Sequence, residues 1–119
     1  MNGWHVGRTW CGYEQWQYQA LTATGLEVGR CWVLTRPGEP AHFSSLYVEP
    51  AWRGQGIARA LLTQVLADYA SSKVCCHAAP FGRQSGLSRR ARIAFYRRLG
   101  ATVTRTGLCT WEAQPCSTG

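Results

Sequence analysis

The stretch LYVEPAWRGQGIARALLTQVL, residues 46–66, constrains the fold of this chain more than any other. Its opening residues are apolar, aromatic and β-branched, which suits the end of a strand. Its closing residues put Ile57, Leu61, Leu62, Val65 and Leu66, with Tyr69 beyond them, at spacings of three and four, one apolar stripe along a helix. Between the two patterns lie only residues 49–56, among them a proline, an aromatic, an arginine and two glycines. A strand that passes through a glycine-rich turn directly into a helix commits the chain to a layered α/β architecture.

The flanking sequence supplies the other elements. Residues 13–22, YEQWQYQALT, alternate in part and fit a half-exposed strand, with residues 26–35 as its hairpin partner and residues 41–49 as a third strand of a meander. The helix should run over residues 55–70. Residues 73–79, KVCCHAA, form a short buried-strand candidate that PFGRQSG interrupts. Ser88 is placed to cap a second helix ending at Leu99, where Gly100 is a natural stop. In that helix Ala91, Phe95 and Leu99 recur every fourth residue, and five arginines take most other positions. Residues 102–113 close the fold as one strand, or as two around Thr106 and Gly107. The expected order is β-β-β-α-β-α-β, a mixed sheet covered by helices, in one domain over residues 1–119 with irregular ends at 1–12 and 114–119.

Composition narrows the function classes. The chain has no apolar run of about 18 residues, so no membrane span is expected. MNGWHVGRTW lacks the apolar core of a signal peptide, so the cytoplasm is the expected compartment. Six cysteines stand in a sequence with an adequate aliphatic core and no C-x-x-C, which reads as buried small hydrophobes rather than a disulfide framework. His5, His42 and His77 are not at zinc spacing, and no metal is expected. The net charge of +7 suits either a polyanion partner or a phosphorylated cofactor.

The glycine turn decides which phosphate is in question. It is not a Walker loop, because no lysine follows the glycines, and it is not a dinucleotide fingerprint, because Arg59 stands where the third glycine belongs. What remains is a turn whose backbone N–H groups converge at the positive end of a helix beside Arg53, open to a diphosphate because glycine carries no Cβ. The alternative is an ordinary helix start with a surface arginine.

Arg53-Gly54-Gln55-Gly56-Ile57-Ala58 resembles the pyrophosphate-binding segment of the GNAT superfamily of acetyltransferases, Gln/Arg-x-x-Gly-x-Gly/Ala, with Arg53, Gly56 and Ala58 at its defining positions. AFYRRLGA, residues 94–101, resembles the family's second signature, an aromatic-tyrosine pair followed by leucine and glycine. The two occur in the family's order, one helix and one strand apart. The resemblance implies a GNAT-like, mostly antiparallel mixed sheet flanked by helices, and an acyltransferase that moves an acetyl group from acetyl-CoA to a primary amine in a ternary complex. It implies that the backbone of Gly54, Gln55, Gly56, Ile57 and Ala58, with the charges of Arg53 and Arg59, holds the pyrophosphate. Leu46, Tyr47 and Val48 are the implied strand end that splays from residues 73–79 and pairs with pantetheine, and a free N–H there would stabilise an oxyanion. Tyr96 is the implied general acid, its phenol close in pKa to the leaving thiolate.

The base is open between two residues. His42 lies an even number of residues before Leu46 and so is expected on that residue's face, as a base or as a structural histidine; Glu49, beside Pro50, is the second candidate. His77 reads as a strand residue. Many relatives carry asparagine and alanine where this chain has Arg89 and Arg92, which leaves that helix to meet cofactor phosphate, acceptor or solvent. With a dozen residues before the first expected strand, the family's first strand and helix pair are expected to be largely missing. That points to an open acceptor site for a small-molecule or protein amine, or to one closed by a second subunit. Trp4, Trp10, Tyr13, Trp16 and Tyr18 suit either a homodimer contact or a shield over a small core. Two further readings are a non-catalytic coenzyme- or nucleic-acid-binding module, with which the aromatics interleaved among the arginines of the second helix are compatible, and a GNAT-like modifier of nucleic-acid bases, which the basic charge permits.

Overall fold

The computed structural model describes residues 3–77 and 88–113. The interrupting loop PFGRQSG, residues 78–79 of the short buried strand and the tail at 114–119 lie outside them. Seven strands form one sheet: β1 (Trp4–Gly12), β2 (Gln15–Thr22), β3 (Glu27–Leu34), β4 (Ala41–Val48), β5 (Val74–His77), β6 (Thr102–Val103) and β7 (Leu108–Trp111). Their order across the sheet is β1-β2-β3-β4-β5-β7-β6, and every neighbouring pair is antiparallel except β4 and β5. Two helices, α1 (Ile57–Asp68) and α2 (Arg89–Arg98), follow β4 and β5. The mixed, mostly antiparallel GNAT-like sheet is the expected one, and the last segment takes the two-strand form.

The N-terminal segment is not irregular as expected. Residues 4–12 form β1, and the first expected strand begins at Gln15 because Tyr13 and Glu14 make the hairpin turn, with φ of 51° and 63°. Positive φ at both central residues is the turn that matches strand twist, yet the usual Asn-Gly signal is absent. The strand's own alternation is broken in the sequence by Gly7 and Arg8. In the structure Trp4, Val6, Arg8 and Trp10 stand opposite Thr22, Ala20, Tyr18 and Trp16. Tertiary pairing supplies what the local pattern does not: Arg8 lies 4.2 Å over the Trp16 ring and 3.8 Å from Asp68 of α1.

Register shows that both helices pack on one face. A Cβ on Gly29 of β3 would meet Ile57 at 2.6 Å, so α1 lies directly on β3 there. Two and four residues on, Cys31 and Val33 share that face, and Val33 pairs with Phe43 of β4. The Phe43 ring in turn meets Tyr96 of α2 and Trp111 of β7 at 5.7 and 5.6 Å. Tyr18, Phe43, Ile57, Leu61, Leu62, Val65 and Val74 are fully buried between sheet and helices, and the Tyr18 hydroxyl donates to Asp68 at 2.7 Å. The opposite face carries Gln17, Gln19, Arg30, Trp32, His42 and Tyr47, and no described helix covers it.

The helix ends follow the sequence. The Ser88 hydroxyl accepts the N–H of Ala91 at 3.1 Å. At the other end Gly100, with φ of 100°, lets Ala101 and Gly100 donate back to Tyr96 and Arg97. The buried line of α2 differs from the expected one: among its described side chains Arg92 and Tyr96 are buried, while Ala91, Phe95 and Leu99 are half-buried. No described helix is long and apolar enough to cross a membrane.

Candidate active site

The site is made where the sheet comes apart. β4 and β5 pair only at Ala41 with Val74 and His42 with Cys75. Just past that point β4 bulges: Arg30 pairs with Tyr47 and Trp32 with Ser44, so β4 uses three residues where β3 uses two. Ser45 takes the left-handed conformation that this requires, with φ of 57°. The bulge turns β4 away from β5 and opens the sheet between them.

A cavity of about 570 Å³ fills the opening. Its lining includes Trp32, His42, Ser44, Ser45, Leu46 and Tyr47 from β3 and β4, Cys76 and His77 from β5, and Arg92 and Tyr96 from α2. It therefore runs from the bare face of the sheet through to the helix side.

The bulge corrects one sequence argument. Even spacing put His42 on the face of Leu46, but the extra residue reverses the alternation. Arg30, Trp32 and Leu34 share one face of β3 and pair with Tyr47, Ser44 and His42, so His42 goes with Tyr47 and Leu46 with the core side. His42 still lines the cavity. Its Nδ1 is 3.4 Å from the Cys75 Sγ, and its ring lies 5.8 Å from that of His77. Burial, and then the neighbouring His77, lower its pKa below the usual 6.5. Burial raises the Cys75 thiol, which keeps it protonated.

Tyr96 is 4% exposed at the cavity's inner end. Burial raises its pKa well above the ordinary phenol, with the nearby thiols of Cys76 and Cys109 adding to the shift and Arg92 opposing it. Glu49 does not itself line the cavity, but Arg30, which does, holds it at 3.4 Å and Glu27 at 3.0 Å.

On the helix side, the glycine turn joins β4 to α1. Pro50–Trp52 form one turn of 3-10 helix, and Gly54 and Gly56 follow with φ of 84° and 83°. A Cβ at either glycine would meet nothing within 4 Å, so the approach to this backbone is clear. No side chain caps α1, and the first N–H groups of a helix have no partner within it. Ile57 turns into the core. Arg53 folds back, its Nε donating to the Val48 carbonyl at 2.9 Å, and fastens the turn to the strand end. Gln55, Gly56 and Arg59 also border an open groove of about 460 Å³ between α1 and β1, with Trp4 and Val6 on its far side.

Sequence reasoning missed three groups of the cavity. Ser45 gave no signal, because nothing local marks a serine for a left-handed bulge. His77 is two residues past the β4–β5 pairing, on the same face as Cys75, a placement legible only once strand order is known. Arg92 was visible as a departure one helical turn before Tyr96, but not as a buried residue. Among the described residues, no three His, Cys, Asp or Glu side chains come together as metal ligands. Cys11, Cys31, Cys75, Cys76 and Cys109 are free thiols.

This arrangement has counterparts. A model of the acetyltransferase (GNAT) domain matches residues 8–100. No curated protein matches the chain. Among solved structures, a GNAT family acetyltransferase from Elizabethkingia anophelis with acetyl-CoA bound superposes at a TM-score of 0.70 with 13% identity, over 94% of this chain and 99% of that one. The GNAT family N-acetyltransferase YhbS from Escherichia coli, in complex with CoA, gives 0.60 and 19% over 80% of this chain and 57% of its own. An acetyltransferase structure from Exiguobacterium sp. 255-15 gives 0.61 and 18% over 84% of this chain, which spans 64% of that one. At these identities the structures speak to fold alone. With the family model running from Arg8 in β1 to Gly100 at the end of α2, the chain belongs to the GNAT acetyltransferase family.

Proposed function

We propose that the chain is an N-acetyltransferase that carries an acetyl group from acetyl-CoA to a primary amine by direct attack in a ternary complex. The observation that supports this most is the cavity through the sheet, which puts Tyr96 and His42 on the walls of one opening that begins where β4 leaves β5. Acetyl-CoA would lie on the helix side. The amides of Gly54, Gln55, Gly56, Ile57 and Ala58, at a helix start cleared of side chains, suit its pyrophosphate, and Arg59 adds charge. The edge of β4 at Leu46, Tyr47 and Val48 offers backbone to the pantetheine arm. The amine would enter from the bare face.

In the transfer the amine nitrogen bonds to the thioester carbon, the carbon–sulfur bond breaks, and the ammonium proton must leave. His42 suits that proton, because its lowered pKa keeps it neutral at pH 7. Tyr96 has its role refined by burial. Burial keeps the phenol protonated, so it can donate a hydrogen bond, or its proton, to the leaving sulfur. Alignment of the two substrates supplies much of the remaining rate.

The test is release of free thiol from acetyl-CoA with a panel of amines. Tyr96→Phe should lower kcat about 10²-fold, the low end for a positioned acid, while leaving acetyl-CoA affinity within about twofold. Turnover unchanged in Tyr96→Phe would remove the tyrosine from the mechanism.

A further inference from the structure

His42 reaches the cavity with one ring nitrogen already engaged. It pairs with Cys75 on the last rung that β4 and β5 share before they part, and its Nδ1 lies 3.4 Å from the Cys75 Sγ. Among the described residues that sulfur is the one hydrogen-bond partner of the ring. His42 lines the cavity and Cys75 does not, so Nδ1 is turned toward β5 and Nε2 is the nitrogen left for the cavity. A histidine that moves protons is more often oriented by a carboxylate. Here no side-chain carboxylate bonds to it: Glu27 and Glu49 are held by Arg30 and Glu112 by Lys73. Leu34 of β3 stands opposite His42, Thr110 of β7 stands opposite Cys75, and the His77 ring is 5.8 Å away. Arg30 and Arg92 are the charged side chains on the cavity wall.

A histidine that collects a proton needs its lone pair on the nitrogen that faces that proton. If the thiol donated to Nδ1, the lone pair would be tied to sulfur and Nε2 would turn its own hydrogen toward the incoming ammonium. If Nδ1–H donates to sulfur, Nε2 is bare and ready to accept. The second arrangement also uses the better donor, because S–H is a weak one. Burial raises the Cys75 thiol and lowers the His42 ring, so the two stay neutral and do not become the thiolate–imidazolium pair of a nucleophilic cysteine. A neutral partner fixes the ring without raising its pKa as a carboxylate would.

We infer that Cys75 is a positioning residue of the site: its sulfur accepts Nδ1–H of His42, holds the imidazole in the tautomer with a bare Nε2, and aims that nitrogen at the acceptor amine. This rests on the transferase reading above, with His42 as its base.

The tautomer is read from long-range ¹H–¹⁵N correlations of histidine-labelled protein at about pH 8, where His42 is neutral, its ring identified by its loss in His42→Gln. The expected result is a proton on Nδ1. Cys75→Val keeps the bulk and suits a strand but offers no acceptor. In it the ring should move toward the Nε2–H form, and kcat should fall about 10-fold with the KM for acetyl-CoA within about twofold. Cys75→Ser, whose hydroxyl accepts as the thiol does, should keep kcat within about threefold. Cys75→Asp should move the acidic limb of the pH profile up by about 1 pH unit, since a carboxylate beside the ring favours its protonated form. If Cys75→Val does not fold, the wild-type ring and the other two variants decide. A wild-type ring with its proton on Nε2 overturns the inference and leaves the transferase standing. So does a loss of kcat shared by Cys75→Val and Cys75→Ser with the tautomer unchanged, because Cys75 would then only fill space. Turnover of no amine removes the transferase reading, and the role of Cys75 with it.

Discussion

One face of the sheet carries Tyr18, Cys31, Val33, Phe43, Val74 and Cys76 under two helices; the other carries Gln17, Gln19, Arg30, Trp32, His42 and Tyr47 with no described helix over them. The same strands make both faces, so the difference lies in the alternation of side chains and not in backbone pairing. The covered face holds the stability: its apolar area is what offsets the entropy of ordering a chain this short. The bare face is free of that demand and can be polar, cationic and open. The two meet only between β4 and β5, where the bulge at Ser45 breaks the ladder and Tyr96 of the covered side looks through to His42 of the bare one. Chemistry is placed at the seam.

Substitutions on the two faces should separate accordingly. Leu61→Ala, deep under α1 at 0% exposure, should cost about 2–5 kcal/mol of stability, read by denaturant unfolding. A smaller loss would mean that the helix face is less tightly packed than its burial indicates. At the seam, Tyr96→Phe should do the reverse, lowering turnover while changing the unfolding midpoint little. A third effect is pH dependence. Folding lowers the His42 pKa below its unfolded value of 6.5, so between the two pKa values the unfolded chain binds more protons. The stability linked to His42 is therefore full above about 6.5 and falls as pH drops through the folded pKa. Activity should follow with an acidic limb below 6.5 that His42→Gln flattens; a limb above 6.5 would contradict the burial of that ring. The smallest effect belongs to the bare face away from the seam, where Gln17→Ala should stay within about 0.5 kcal/mol and leave turnover alone.

The same division explains how much was legible in the sequence. Helix α1 was plain because five of its apolar residues keep the period of a helix, and α2 because Ser88 and Gly100 mark its ends. The glycine turn was legible because two adjacent needs, positive φ and clear backbone, both select glycine. β1 was not, since its face pairs Trp4, Val6 and Trp10 with Arg8, and the arginine stem is apolar only against Trp16. Ser45 was not, because the bulge answers to the β3–β4 register and leaves no local signal. The parity argument for His42 failed for that same reason. Arg92 reads as a solvated charge until the helix is rotated by its packing, which puts it and Tyr96 inward. Sequence period shows which residues could face the core; only the third dimension shows where the core is interrupted.

The account stands on where acetyl-CoA sits. Titrating it into ¹⁵N-labelled protein and following backbone amide shifts tests this directly. The largest shifts are predicted at Gly54, Gly56, Ile57 and Ala58, with a second set at Leu46, Tyr47 and Val48 along the open edge of β4. Saturation without shifts at the glycine turn, or shifts confined to Trp4, Val6, Thr63 and Ala67 in the groove between α1 and β1, would contradict it.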